Sequence, residues 1–221
     1  MYKEPLNRII QANQMGLAAL EGNLLSAAKG TGVKALFFTS CRAKEGKTTA
    51  AVTVAHSLAS QGNQRVLLAD GSLRTSSLNE VFGIDEGTPG LTDYLLSKAP
   101  LEKVSKSTEV ENLTVIPKGT GLQGNSVGAV FGSDNFKAKL EALKEKYDYV
   151  IFDGDAVFSS SNAALLARHF DGVVFAVEYG KTKWEVLRLA NQKMVDVGGR
   201  VLGVVLNKRE YRIPRGLYEK I

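Results

Sequence analysis

Apolar segments of strand length alternate with helical patterns along most of this chain, and this alternation constrains the fold more than any other feature. The apolar segments are continuous, which is typical of strands that are buried on both faces of a parallel sheet. Six strands are predicted: Val33–Ser40, Arg65–Asp70, Leu113–Pro117, Tyr149–Asp153, Gly172–Val177 and Val201–Asn207. The alternation predicts an α/β fold with a doubly wound, mostly parallel sheet between two helical layers, a three-layer α/β/α arrangement.

Apolar residues at helical spacing predict the helices that connect these strands. The helices are Lys47–Gln61, Leu78–Phe82, Leu91–Leu96, Asp134–Tyr147, Ser161–His169 and Lys183–Val197. A further helix is predicted over Pro5–Ala28, within an N-terminal segment of residues 1–30. Gly119–Gly132 is rich in glycine and lacks periodicity, so we predict a loop there. No repeat or linker divides the 221 residues, and a single domain over residues 1–221 is predicted.

Composition excludes several classes of protein. A formal net charge of +5 is too small a surplus to predict nucleic-acid binding. The single cysteine, Cys41, excludes a disulfide framework and a cysteine-based zinc site. No apolar segment approaches the ~18–20 residues that span a bilayer. Charged residues interrupt Met1–Asn13, where a signal peptide would be apolar, so we predict a cytoplasmic protein.

The segment Cys41–Thr49 (CRAKEGKTT) ends a predicted strand and opens a predicted helix, which is the context of a phosphate-binding loop. In such a loop, backbone N–H groups and the helix N-terminus donate to phosphate oxygens. Gly46 permits close approach, Lys47 brings a positive charge, and the Thr48 hydroxyl is a ligand for Mg²⁺. The alternative is an ordinary solvated helix start, because Cys41 replaces the usual first glycine. We predict that ATP or ADP binds through Arg42, Ala43, Lys44, Glu45, Gly46, Lys47, Thr48 and Thr49.

Two of the predicted strands end in an aspartate, Asp70 and Asp153. Ligands of open parallel sheets bind at the carboxyl ends of the strands, so both aspartates are predicted beside the phosphate loop. A Mg²⁺ ion that bridges phosphates takes one or two carboxylates together with water. The sequence therefore predicts a metal site formed by Thr48, Asp70 and Asp153. The alternative is that each aspartate caps the segment that follows it.

Together these motifs resemble the cytoplasmic kinase half of the bacterial tyrosine kinases of capsule and exopolysaccharide synthesis. Those kinases are P-loop NTPases related to the ParA/MinD ATPases. The resemblance covers most of the chain, and the segment GLTDYL is more typical of the kinases than of their relatives. The residues that carry it are Gly46-Lys47-Thr48, Asp70-Gly-Ser72-Leu-Arg74, Gly90–Leu95, Tyr149–Asp153, Gly180-Lys-Thr182 and Val201–Asn207.

The resemblance implies transfer of the γ-phosphate of ATP to tyrosine in the presence of Mg²⁺. It gives Lys47, Asp70 and Asp153 the catalytic roles, with Asp70 as general base for a tyrosine hydroxyl and Asp153 as the metal ligand. It also places Thr48 on Mg²⁺ and Asn207 near the adenine. A membrane-anchored activator of the polysaccharide co-polymerase type is implied as a partner. That activator would recruit the protein to the inner face of the cell membrane, and a homo-oligomer is a further expected partner.

Both acidic motifs depart from the family. Ser72 stands where the family has a second aspartate, and Asp155 stands where it has a proline. We hypothesise that Asp155 turns toward the metal and restores the number of carboxylates; the alternative is a solvated turn residue. The C-terminal region has only Tyr211 and Tyr218 where the family has a tyrosine cluster, which makes autophosphorylation less secure than nucleotide binding.

The tail of residues 208–221 carries five basic and two acidic residues among apolar side chains, a net charge of +3. Such a tail is suited to a peripheral contact with an anionic membrane, to a partner, or to its own domain. Three functions stay open at this point. They are a tyrosine autokinase, a nucleotide-dependent regulatory protein of polysaccharide export with little catalysis, and a ParA/MinD-type positioning ATPase. Arg42 stands where the positioning ATPases have a signature lysine, which is a partial match.

Overall fold

The structure is a computed structural model, and it describes residues 32–72, 75 and 77–208 together with Ile10 and Gly22. Apart from these two residues, the helix predicted within residues 1–30 lies outside the described residues. The basic tail of residues 208–221 lies outside them too, except for Lys208, and so does Arg74.

In the part of the chain that the structure describes, seven strands form one sheet. They are β1 (Ala35–Ser40), β2 (Val66–Asp70), β3 (Lys106–Ser107), β4 (Leu113–Ile116), β5 (Tyr149–Asp153), β6 (Gly172–Glu178) and β7 (Val201–Asn207). Their order is β3-β4-β2-β5-β1-β6-β7, and every neighbouring pair is parallel except β3 with β4. The central strands β1 and β2 are buried along their whole length, which confirms the prediction made from their continuous apolar sequence.

Helices cover both faces of this sheet. They are α1 (Lys47–Ser60), α2 (Ser77–Phe82), α3 (Leu91–Leu95), α4 (Leu101–Val104), α5 (Val127–Phe131), α6 (Asp134–Lys146), α7 (Asn162–Ala167) and α8 (Trp184–Asp196). Phe38 of β1 joins α1 in one hydrophobic cluster, whereas its neighbour Phe37 joins α6, α7 and α8 in another. Successive residues of a strand point to opposite faces, so two cores form and the predicted three-layer, doubly wound architecture is confirmed.

Within residues 32–72, 75 and 77–208, the predicted elements agree with the observed ones to within two residues at each end, with one error and two omissions. The prediction of a continuous loop over Gly119–Gly132 was wrong, because it contains α5. The Ser126 hydroxyl caps this helix by accepting from the Ala129 N–H, and Phe131 packs edge-on against Phe136 at 5.3 Å. Five residues are too few for a periodic pattern, and tertiary packing decides their conformation. The short elements α4 and β3 were not predicted.

Candidate nucleotide-binding site

The loop between β1 and α1 is built from residues in special backbone conformations. Lys44 and Gly46 both adopt positive φ angles, 68° and 92°. A Cβ atom on Gly46 would lie 1.7 Å from Asn207 Nδ2, so the position requires glycine for its conformation and for its space. Among the described residues no side chain caps the N-terminus of α1, and its first turn holds no acidic residue. Its N–H groups are thus arranged as in an anion-binding helix start.

Lys47 and Thr48 open α1 and meet the same carboxylate at the end of β5. Thr48 Oγ1 donates to Asp153 Oδ2 at 2.6 Å, and Lys47 Nζ lies 3.3 Å from Asp153 Oδ1. Asp153 is completely buried, whereas the Lys47 side chain is 13% exposed. Burial raises the pKa of Asp153 above its usual range, against the opposing effect of the Lys47 charge. The structure therefore brings these three predicted residues together.

Asp70 lies beside Asp153, because the two residues are register partners in β2 and β5. Its Oδ1 accepts from the Ser72 N–H and its Oδ2 from the Leu78 N–H, each at 3.1 Å. Asp70 therefore also organises the segment after β2, as the capping alternative proposed. Two effects raise the pKa of Asp70 to about 7: burial, which is the larger, and the nearby charge of Asp153.

Asp155 is turned inward. Its Oδ1 accepts from Ser72 Oγ at 2.7 Å, and its Oδ2 lies 3.5 Å from Asn162 Nδ2. The side chain is buried, which contradicts the alternative of a solvated turn residue. The carboxylate of Asp155 thus reaches the end of the side chain at position 72, where the related family carries its second aspartate.

Glu45 of the loop and two side chains from distant segments, Thr182 and Asn207, hold the loop in place. Glu45 accepts from the Arg42 N–H at 2.9 Å and from Thr182 Oγ1 at 2.7 Å. Asn207 Nδ2 donates to the Glu45 carbonyl at 3.1 Å, so Asn207 lies against the loop. Sequence reasoning gave no role to Thr182, although the Gly180-Lys-Thr182 segment carried part of the resemblance. That segment was the signal that could have identified it.

A cavity of about 340 Å³ opens between the loop and the segment that follows β6. Its lining includes Arg42, Ala43, Glu45, Lys181, Thr182 and Val186. Cys41 faces the protein interior instead, and burial raises the pKa of its thiol to about 12. Three predicted loop residues therefore line open space, while the residue that replaces the first glycine fills the core.

The donor set at the loop fits a Mg²⁺ ion held jointly with phosphate. In the part of the chain that the structure describes, no three His, Cys, Asp or Glu side chains are grouped to enclose a metal ion by themselves. Mg²⁺ at a phosphate site needs only one or two protein oxygens besides phosphate and water. The paired oxygens of Thr48 and Asp153 meet that need. Asp70 and Asp155 stay predictions as metal ligands.

The described helices include none that is both long enough and apolar enough to cross a bilayer.

Comparison with known proteins places this site in a family. A family described as an AAA domain matches residues 39–179, more than half of the chain. The tyrosine-protein kinase CpsD of Streptococcus pneumoniae is 32% identical over 190 residues, which are 86% of this chain and 82% of CpsD. The chain belongs to the family of bacterial tyrosine-protein kinases that includes CpsD. The resemblance inferred from the motifs is thereby confirmed.

Solved structures of the tyrosine-kinase family share the fold described above. The kinase domain of the Escherichia coli tyrosine kinase ETK is 27% identical, with a TM-score of 0.80 over 89% of this chain and 77% of that one. The septum site-determining protein MinD of Pyrococcus horikoshii, complexed with Mg-ADP, is 23% identical, with a TM-score of 0.63 over 85% and 76% of the two chains. The second likeness shows the fold alone, and that fold agrees with the predicted doubly wound sheet.

Proposed function

We propose that this tyrosine-kinase family member is an active autokinase of capsule or exopolysaccharide synthesis, which transfers the γ-phosphate of ATP to tyrosine. The observation that carries the proposal is the contact of Lys47 and Thr48 with the buried Asp153 at the start of α1. Phosphoryl transfer asks a protein mainly for positioning and for neutralisation of charge. A lysine, a hydroxyl and a carboxylate at one point of an anion-binding loop meet both requirements.

Each residue has a distinct part in this proposal. Lys47 is partly exposed, so its ammonium is free to exchange Asp153 for the phosphate oxygens of a bound nucleotide. Thr48 and Asp153 would hold Mg²⁺, which neutralises the negative charge of the phosphates when it is bound. Asp70, at the neighbouring strand end, is placed to accept the proton of the tyrosine hydroxyl. Asn207 lies against the loop and is proposed to border the adenine.

We also propose that Asp155 supplies the carboxylate that Ser72 lacks. The 2.7 Å hydrogen bond between the two side chains supports this, because a carboxylate from the segment after β5 lies against the side chain of residue 72, in the segment after β2. Asp155 would then be a second carboxylate near the metal. With Asp153 and Asp155, the site would offer the one or two carboxylates that a Mg²⁺ ion takes at a phosphate site.

The proposed partner is a membrane-anchored activator of the polysaccharide co-polymerase type, which would bring this protein from the cytoplasm to the membrane. Exposed apolar side chains are available for contacts with an activator or with further copies of the chain. They include Trp184, Leu189 and Leu206, which are 64%, 57% and 62% exposed. A homo-oligomer and a contact of the basic tail with the membrane belong to the same proposal.

A second candidate is a nucleotide-dependent regulatory protein with little catalysis. One observation favours it: each oxygen of Asp70 already accepts a hydrogen bond from a backbone N–H group, and such bonds lower the affinity of a carboxylate for a proton. A positioning ATPase is less favoured, because the likeness to MinD is limited to the fold whereas the likeness to CpsD includes the sequence.

Incubation of the protein with ATP, Mg²⁺ and the cytosolic segment of an activator tests these candidates, with detection of phosphotyrosine. We expect phosphorylation of tyrosine in the wild type and none in Lys47→Met, which keeps the length of the side chain without its charge. Nucleotide binding without phosphotyrosine would favour the regulatory protein. Failure of the wild type to bind nucleotide would contradict both.

A further inference from the structure

A buried acidic side chain lies inside the phosphate-binding loop, directly before Gly46. Glu45 is only 6% exposed. Its Oε2 accepts from the Arg42 N–H, a donor of the loop itself, and its Oε1 accepts from Thr182 Oγ1. The carboxylate is thus held within the loop that is built to receive a negatively charged ligand.

Thr182 is fixed in turn by the end of β6. Its Oγ1 accepts from the Glu178 N–H at 3.1 Å, and its own N–H donates to the Glu178 carbonyl at 3.0 Å. Asn207 at the end of β7 holds the Glu45 carbonyl from another side. Two strand ends therefore hold residue 45, and its side chain cannot turn away without breaking these hydrogen bonds.

The partners of the Glu45 carboxylate are neutral. Two lysines near this side of the loop form ion pairs with another carboxylate: Lys181 and Lys208 lie 2.6 Å and 3.1 Å from Glu178. Among residues 32–72, 75 and 77–208, no lysine or arginine forms an ion pair with Glu45. A largely buried carboxylate acts on nearby charges over a short distance, although Arg42, Lys181 and Lys183 line the same cavity and offset part of its charge.

We propose that Glu45 sets the affinity of this loop for nucleotide phosphates, with Thr182 as the positioning residue that fixes its charge. The inference rests on the proposed function, because it concerns how tightly the same loop holds ATP and ADP. The carboxylate has two effects of opposite sign. Its hydrogen bonds keep the loop in the receptive shape, whereas its charge repels the phosphates and lets the nucleotide exchange.

Glu45→Gln separates the charge from the hydrogen bonds. The amide oxygen of glutamine accepts from the Arg42 N–H as before, and its amide N–H donates to Thr182 Oγ1, because a hydroxyl both donates and accepts. We expect the variant to bind ADP and ATP about three- to tenfold more tightly than the wild type in calorimetry, with a smaller gain at high salt.

Thr182→Val tests the other half of the inference, and Thr182→Ser is its matched control. Valine has the shape of threonine without the hydroxyl. Glu45 therefore loses a hydrogen-bond donor, and the loop loses its hydrogen bond to the segment after β6. We expect Thr182→Val to bind ADP at least about threefold more weakly and to unfold about 3 °C earlier. The serine variant should match the wild type in both measurements.

The outcomes are distinguishable from those of the proposed function. If the wild type binds no nucleotide, the proposed function fails and this inference falls with it. If the wild type binds but Glu45→Gln binds equally or more weakly, the inference alone is overturned and Glu45 is a purely structural part of the loop. Wild-type affinity in Thr182→Val would overturn the positioning role in the same way.

Discussion

Asp155 and Ser72 meet at a single hydrogen bond although 83 residues separate them in the sequence. Each lies two residues beyond a strand end, after Asp153 and Asp70 respectively, and those two aspartates are neighbours in the sheet. The geometry therefore lets either position deliver a carboxylate to the same place. The choice between them becomes a question for mutagenesis.

Asp155→Ala should weaken Mg²⁺-dependent ATP binding about tenfold, because the site loses one of its acidic oxygens. The double variant Ser72→Asp/Asp155→Ala should recover most of this loss, since the carboxylate then comes from the segment after β2. Calorimetry with and without Mg²⁺ measures both effects. Ser72→Ala, which leaves Asp155 in place, is the control. An unchanged Mg²⁺ dependence in Asp155→Ala would refute the role of this carboxylate.

Cys41 is expected to resist alkylation in the folded protein. Its pKa is raised to about 12 by burial and by the charge of Glu45, so the thiolate is scarce at any pH that the protein tolerates. Between pH 8 and 10 the rate of reaction with iodoacetamide should rise with pH in the unfolded chain and stay low in the native one. Rapid native-state alkylation that follows a pKa near 9 would contradict this.

At the scale of elements, the segment Gly90–Leu95 has a structural task. The N–H groups of Leu91 and Thr92 donate to the carbonyls of Pro117 and Lys118, at 2.7 Å and 3.0 Å. Asp93 accepts from the N–H groups of both Gly90 and Thr120. The segment that is typical of the kinases thus fastens the chain that leaves β4 at the carboxyl edge of the sheet.

Gly90→Ala should lower the free energy of unfolding by about 2–3 kcal/mol, since a Cβ atom there would lie 2.1 Å from the Pro117 carbonyl oxygen. Gly128→Ala in α5 is the matched control, because its Cβ would meet nothing within 4 Å. The control should be neutral or more stable by up to about 1 kcal/mol. Urea unfolding measures the free energy of unfolding of both variants. Equal changes in the two variants would show that Gly90 is not spatially constrained.

At the scale of the whole molecule, the sheet could be predicted from the sequence, whereas the hydrogen bonds that hold the phosphate-binding loop could not. The strands β1, β2, β5 and β6 could be predicted because burial on both faces requires uninterrupted apolar sequence. The aspartates at two strand ends could be predicted to lie near the loop because ligands bind at the carboxyl ends of parallel strands. Thr182, in contrast, contacts Glu45 across 137 residues of sequence, and no local pattern encodes that contact. Helix α5 was not predicted because its five residues are too few for a periodic pattern, and Phe131 is buried in the core.

Titration of the purified protein with ATP, in the presence and absence of Mg²⁺, tests the central claim most directly. We expect saturable binding of one nucleotide per chain, stronger with Mg²⁺, because Thr48 and Asp153 present paired oxygens beside the loop. Lys47→Met should lose most of this binding while remaining folded. The absence of any binding heat from the wild type at millimolar ATP, with Mg²⁺ present, would contradict the account.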